Sequence, residues 1–305
     1  MKATPHVAWI LGLLLSIGLT ACDVCDPEQE PPAAPRLHGI VRDAITGEPL
    51  PDIEIDDGDS MVISDPDGRF DVPAVDDTIE LTFRDEGDPN EYGAYFDFDA
   101  SFRPDSSDTI TAWMIPNVEM ESDSFPDFLS WLKYMLTQRN ISPHSKERLE
   151  TWRIPFEVYV PPFMLNGLDY QQSIKDVWDA WEQLVGFDLV TFVDEVPTVG
   201  VYIEYIDHGR ESHFIKEVSD DGFPKLARIH VTYNYDTTNV HSHLYKIVGH
   251  EIGHAFCMGH SNDRIHLMVA GRAPLGWPPT YDEIWLVRVM YRLPRGVRFE
   301  NYKLD

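Results

Sequence analysis

The stretch from Gly249 to Ser261 reads Gly-His-Glu-Ile-Gly-His-Ala-Phe-Cys-Met-Gly-His-Ser. His250 and His254 stand four residues apart. On a helix that spacing leaves them about 40° apart on one face, one turn displaced. Two imidazoles so placed can bind one zinc ion at Zn–N distances of ~2.0–2.1 Å. Glu251 lies beside the pair and would reach a water on the metal rather than the metal itself. Zinc lowers the pKa of such a water toward about 7 and polarises a carbonyl. Glu251 could then take the water's proton and later hand it to a leaving amine. The chemistry indicated is hydrolysis with one zinc ion and one carboxylate base.

A three-ligand open site needs one more donor. His260 lies six residues past His254. A straight helix would aim it about 240° away, so the chain must turn sharply, and Gly259 offers conformational freedom for that. Cys257 sits seven past His250, and a longer helix would point its thiol at the metal. It is therefore an alternative third ligand. The plain alternative for the first two histidines is a pair of satisfied surface side chains. The chain holds 12 histidines, and the full pattern should arise by chance about once per thousand such chains. His241, His243 and His266 are accounted for by helix-start and loop positions. Asp263 and Asp282 could each support a ligand by hydrogen bonding, and nothing in the sequence selects one.

Several elements must position this constellation. Leu244 to Met258 reads as the helix carrying it. Ile154 to Val160, Leu189 to Val193, Gly200 to Ile206 and Ala227 to Tyr233 read as strands. Ile174, Val177, Trp178, Trp181 and Val185 mark an amphipathic helix. A final helix starts at Thr280, whose spacing to Glu283 is a capping box, and stops before Pro294. Together these give an α+β domain over 152–305. Upstream, Leu37 to Arg42, Ile79 to Phe83 and Thr109 to Ile115 read as short strands. Thr46-Gly47-Glu48-Pro49 and Asp65-Pro66-Asp67-Gly68 read as turns. Residues 37–117 are thus expected to form a separate all-β sandwich. Residues 118–151 would link the two, with apolar residues at helical spacing from about 125 to 138.

The chain has 305 residues, 52 acidic against 24 basic, and a formal net charge of -28. Such a balance excludes nucleic acid and an anionic membrane surface as partners. The aspartates at 56, 57, 59, 65 and 67 lack the EF-hand spacing. Turns explain them, so calcium stays possible and unsupported. Residues 23–36 are acidic and proline-rich, an extended tether. Lys2 precedes an apolar run, Val7 to Leu19, which is too short to span a membrane and reads as a secretory signal over 1–22. With three cysteines there is no disulfide framework.

Three resemblances follow from these residues. Leu19-Thr20-Ala21-Cys22 resembles a bacterial lipobox. It implies cleavage before Cys22, lipidation of that cysteine, and a lipid-anchored envelope lipoprotein in a membrane the sequence does not identify. The string from Gly39 to Pro51 with Ser64 to Pro73 resembles the carboxypeptidase regulatory-like β-sandwich, usually an accessory domain. The pattern His-Glu-x-x-His-x-x-Gly-x-x-His with a following Met-turn marks the metzincins, and the short form here is matrixin-like. That resemblance covers roughly 152–295. It implies a mixed twisted sheet with an active-site helix, and zinc on His250, His254 and His260. It implies Glu251 as general base, Met268 as the Met-turn floor, and an extended polypeptide substrate, which the lipobox resemblance would place outside the cytoplasm. The substrate-pairing strand corresponds on this reading to Ala227–Tyr233. The sequence departs from the pattern once: the expected glycine is Cys257, and Gly259 could shift the turn by two residues. Two rival readings are an inactive binding or structural lipoprotein and a zinc hydrolase of a non-peptide bond.

Overall fold

A computed structural model describes residues 35–74, 78–88, 91–103, 109–137, 149, 151–206, 213–219, 223–233, 240–270, 276–298 and 301–302, without the side chains of 213 and 240–243. The expected signal segment, Cys22 and nearly all of the tether lie outside the described residues. Residues Pro35–Asp305 form one compact unit. Its class is mixed α+β, with several sheets and four helices among the described residues.

The first seven strands are β1 (Arg36–Asp43), β2 (Glu54–Asp56), β3 (Met61–Ile63), β4 (Arg69–Pro73), β5 (Ile79–Arg84), β6 (Phe98–Phe102) and β7 (Ile110–Met114). They make two sheets, in the orders β4-β1-β7 and β3-β2-β5-β6. Burial alternates along β1 and β5, as a strand with one covered face requires. The covered faces meet where Phe70 sets its edge against Phe83, with ring centroids 5.7 Å apart. Phe83 in turn stacks on Phe98 at 4.6 Å. The turn before β4 is built by Asp65, whose Oδ1 accepts from Asp67 N and Arg69 N. Gly68 adopts φ 72° there, where a β-carbon would press on the Val41 carbonyl. Asp56 and Asp57 likewise accept backbone N–H groups of their own loop.

Helix α1 (Phe128–Thr137) buries Phe128, Leu129, Trp131, Leu132 and Met135 completely. Beyond it come β8 (Phe156–Tyr159), the small hairpin β9 (Met164–Leu165) and β10 (Leu168–Asp169), and α2 (Tyr170–Val185). Asp169 caps α2 by accepting from Gln172 N, and Gly186 closes it in the left-handed region. Then follow β11 (Val190–Val193), β12 (Gly200–Ile206), β13 (His213–Val218), β14 (Pro224–Thr232), α3 (Val240–Ala255) and α4 (Tyr281–Arg292). The capping box at Thr280 and Glu283 is formed.

The five-stranded sheet runs β11-β8-β12-β14-β13, parallel except for β13. This corrects one expectation. The Ala227–Tyr233 segment falls, but for Tyr233, in β14, which is paired on both sides. The edge nearest α3 is β13, unnoticed in the sequence because Phe214-Ile215-Lys216-Glu217 does not alternate.

The C-terminal segments reach back to the first two sheets. Arg292 donates to the Ala44 and Thr46 carbonyls. Tyr302 stacks on Phe98 and donates its hydroxyl to the Trp113 carbonyl. Among the described residues no helix is long and apolar enough to cross a membrane.

A candidate metal centre on helix α3

Helix α3 is fixed by aromatic residues before it presents any ligand. Phe256, one residue past its end, meets Trp178, Trp181, Phe156 and Tyr291 edge to face at 5.4–6.3 Å. Each such pair adds about 0.5–1.5 kcal/mol beyond burial. The Trp181 and Trp152 indoles donate to the Gly249 and Ala255 carbonyls, at 3.2 and 2.6 Å. Gly249 is needed for close approach, since a β-carbon there would overlap the Trp277 ring.

The chain then reverses to bring His260 back. Cys257 N donates to the His254 carbonyl, and Met258 N donates to the Gly253 carbonyl. This is the paired bonding of a Schellman closure, whose left-handed residue is here Cys257 at φ 72°. The turn therefore stays at position 257, and Gly259 does not replace it. Gly259 instead donates its N–H to the Met135 carbonyl of α1. A left-handed cysteine costs roughly 1–2 kcal/mol, which the surrounding packing absorbs. The Cys257 thiol lies 4.0 Å from Lys216 Nζ and 3.9 Å from the Ala255 carbonyl. It does not join the histidine cluster.

His250, His254 and His260 do converge. Their ligand atoms all lie within 4.8 Å of one another, and the Nε2 atoms of His254 and His260 are 3.1 Å apart. Two nitrogens held by one tetrahedral zinc at ~2.0–2.1 Å would be separated by about 3.3 Å, so the spacing suits that ion. The other ring nitrogens of His250 and His254 are already engaged. His250 Nδ1 donates to the Leu267 carbonyl at 2.7 Å, and His254 Nδ1 donates to the Met258 carbonyl at 2.9 Å. Those bonds fix the tautomer and leave the Nε2 lone pairs facing the common point. Burial pushes the His250 pKa down to about 4 and that of His254 well below the ordinary value. Both rings are thereby kept in the neutral form a metal requires.

Glu251 is 6% exposed. Burial pushes its carboxyl up to about 8, so the ionised form is poorly solvated and a nearby cation would stabilise it. Met268 is fully buried. A β-carbon on Gly253 would overlap the Met268 sulfur, so a helical glycine is what admits this methionine. Glu283 holds the methionine's backbone, accepting from Met268 N at 2.7 Å and Leu267 N at 3.1 Å. Phe214 of β13 brings its ring within 6.1 Å of the His254 ring.

The two aspartates weighed as supports contact no ligand. Asp263 accepts from the Ser122 and Ser124 hydroxyls. Asp282 accepts from His266 and from Glu121 N. His266 itself is completely buried, a role its loop position gave no reason to expect. Glycines 249 and 253 were the overlooked sequence signal, because glycine inside a helix marks a close approach. The side chains of His241 and His243 lie outside the described residues.

No family model matches this chain. A search of characterised proteins finds matrix metalloproteinase-A of Caenorhabditis elegans, 26% identical over 137 residues. The match covers 40% of this chain and 25% of that protein, so the chain spans about a quarter of the length of the relative it matches. The three-histidine group is compatible with a metal ion.

Proposed function

We propose that this chain is a zinc-dependent endopeptidase of the metzincin type. The observation that carries the reading is the convergence of three histidines, two with their tautomers fixed, on one point beside a buried carboxylate. His250, His254 and His260 would hold the ion. Zinc bound there would supply Lewis acidity to a water and to the scissile carbonyl. Glu251 would accept the water's proton and return it to the leaving amine. Met268 would close the floor of the site, held by Glu283. Among the described residues antiparallel β13 is the edge strand beside α3, and its outer edge could pair with an extended peptide. That feature favours a peptide over a non-peptide bond.

On the same proposal the first two sheets form an accessory sandwich of the carboxypeptidase regulatory-like kind. Cys22 would carry the lipid anchor, placing the substrates outside the cytoplasm. A protein lacking residues 1–22 should bind one zinc per chain and cleave an unfolded protein. Glu251→Gln should keep the metal and lose activity by at least about a hundredfold. Undiminished cleavage by that variant would overturn the mechanism.

A further inference from the structure

Behind the metal centre lies a chain of buried polar groups that the proposed reaction does not use. Ser261 is 1% exposed, and His266 and Asp282 are fully buried. Ser261 Oγ lies 2.5 Å from His266 Nδ1, and His266 Nε2 lies 3.2 Å from Asp282 Oδ2. The other bonds assign the protons. Asp263 N already donates to Ser261 Oγ at 3.0 Å. The Asp282 carboxylate can only accept, so His266 Nε2–H donates to it; in the neutral tautomer that this bond selects, Nδ1 is the acceptor and the Ser261 hydroxyl donates to it. Asp282 Oδ1 accepts Glu121 N at 3.0 Å, so every member has its partner. Serine, histidine and aspartate in this order resemble a nucleophilic relay, but no substrate can reach groups so deeply enclosed.

What the chain does touch is the loop carrying the third ligand. Ser261 is bonded directly to His260 in sequence, and its N–H donates to the Met268 carbonyl at 2.7 Å. Ala270 N returns a bond to the Ser261 carbonyl at 3.4 Å. A shift at Ser261 must therefore move both His260 and the backbone around Met268. The far end is fastened by the segment that precedes α1. Glu121 caps Tyr281 N with its carboxylate at 3.0 Å while giving its own N–H to Asp282. Ser122 and Ser124 grip Asp263 in the same loop. Trp131 of α1 lies against the His266 ring at 5.2 Å and prevents it from swinging out.

We infer that Ser261, His266 and Asp282 are positioning residues that set His260 for metal binding, with residues 121–131 as the strap that holds them. The inference rests on the reading of His250, His254 and His260 as zinc ligands. Groups hydrogen-bonded behind a metal site typically change metal affinity by about 10–100-fold when removed. Here the effect travels through the backbone of residue 261 rather than through a bond to the ligand ring.

The test uses the chain from residue 23 onward and reads the metal rather than cleavage. Zinc affinity is measured by competition with a chromogenic chelator, and geometry by the visible bands of the cobalt-loaded protein. Ser261→Ala and His266→Ala should each weaken zinc by about 10–100-fold and alter the cobalt bands. Val72→Ala, in the core of the first sheets, serves as a remote control matched for lost thermal stability and should change neither. Should His266→Ala fail to fold, Ser261→Ala decides, since it removes a single oxygen. Ser261→Ala with native affinity and native cobalt bands overturns the positioning role alone. An equal loss in Val72→Ala overturns it as well, because the effect would then be general instability. A native chain that takes up no zinc overturns the ligand reading together with this one.

Discussion

Between residues 36 and 114 the buried polar side chains, among the described residues, are Asp43 and Ser64, and both are used locally. Asp43 accepts from Ile45 N, Thr46 N and the Tyr95 hydroxyl. Ser64 bridges the Leu50 carbonyl and Ile53 N. Around α3 the same class of group is buried densely: His250, Glu251, His254, Ser261, His266, Asp282 and Glu283. Four of these are satisfied by neighbouring groups, whereas His250 and His254 belong with His260 to a group that could hold one metal ion. Buried polar groups are normally paired, because leaving one unpaired costs about 1–3 kcal/mol. The first region obeys that rule with its own atoms. The second gathers three histidines whose ligand atoms all lie within 4.8 Å of one another, and that contrast is what marks a site.

The largest way to break the contrast is to withhold the metal. A strong chelator should abolish cleavage and lower the melting temperature, and zinc should restore both. An ion present at a thousand times its dissociation constant stabilises the folded state by about 4 kcal/mol. Calorimetry with and without chelator measures this. An unchanged melting temperature and unchanged activity would remove the ion from the account. His254→Ala should make the chain indifferent to the chelator.

Next in size is a pair of cavities. Phe70→Ala and Phe256→Ala each empty a large aromatic site and should each cost about 3–5 kcal/mol in urea unfolding. Phe70 lies between the first two sheets, against Phe83. Phe256 sits between α2 and the end of α3, immediately before the left-handed turn. The destabilisation should be similar, but only Phe256→Ala should weaken zinc binding. Equal zinc affinity in the two variants would show that the aromatic cluster does not position the ligands.

Much of the site was legible in the sequence because its signals are local. The spacing of His250 and His254 on a helix, and the capping box at Thr280, depend on residues a few positions apart. In the first two sheets β1 and β5 carried period-two alternation, and Asp65-Pro66-Asp67-Gly68 read as the turn whose aspartate now accepts its own loop's N–H groups. What was not legible depends on distant contacts. The edge strand β13 has two adjacent apolar residues, Phe214 and Ile215, and becomes a strand by pairing with β14. His266 reads as a polar loop residue and is buried because Asp282, sixteen positions away, supplies its partner. The segment before α1 read only as part of a link, and its bonds to Asp263 and Asp282 span at least 139 positions. Burial of a polar residue is decided by what folds over it, and no short window contains that information.

The smallest effect sharpens the contrast at a single backbone position. Cys257 takes φ 72° with a β-carbon attached, where glycine would carry no steric penalty. Cys257→Gly should relieve part of the roughly 1–2 kcal/mol of left-handed strain, offset by the greater freedom glycine gains in the unfolded chain. The expected net gain is a few tenths of a kcal/mol up to about 1. Cys257→Ala keeps the β-carbon and the strain, and loses the thiol's contacts with Lys216 and the Ala255 carbonyl. It should therefore be no more stable than the native chain. Urea midpoints of the three proteins separate the two causes. If alanine stabilises as much as glycine, the thiol is the source of strain and the backbone is not. If neither changes the midpoint, the Schellman closure holds position 257 so firmly that the conformation carries no net cost. In both variants His260 should still reach the metal, because the two backbone bonds that make the turn come from Cys257 N and Met258 N and need no side chain.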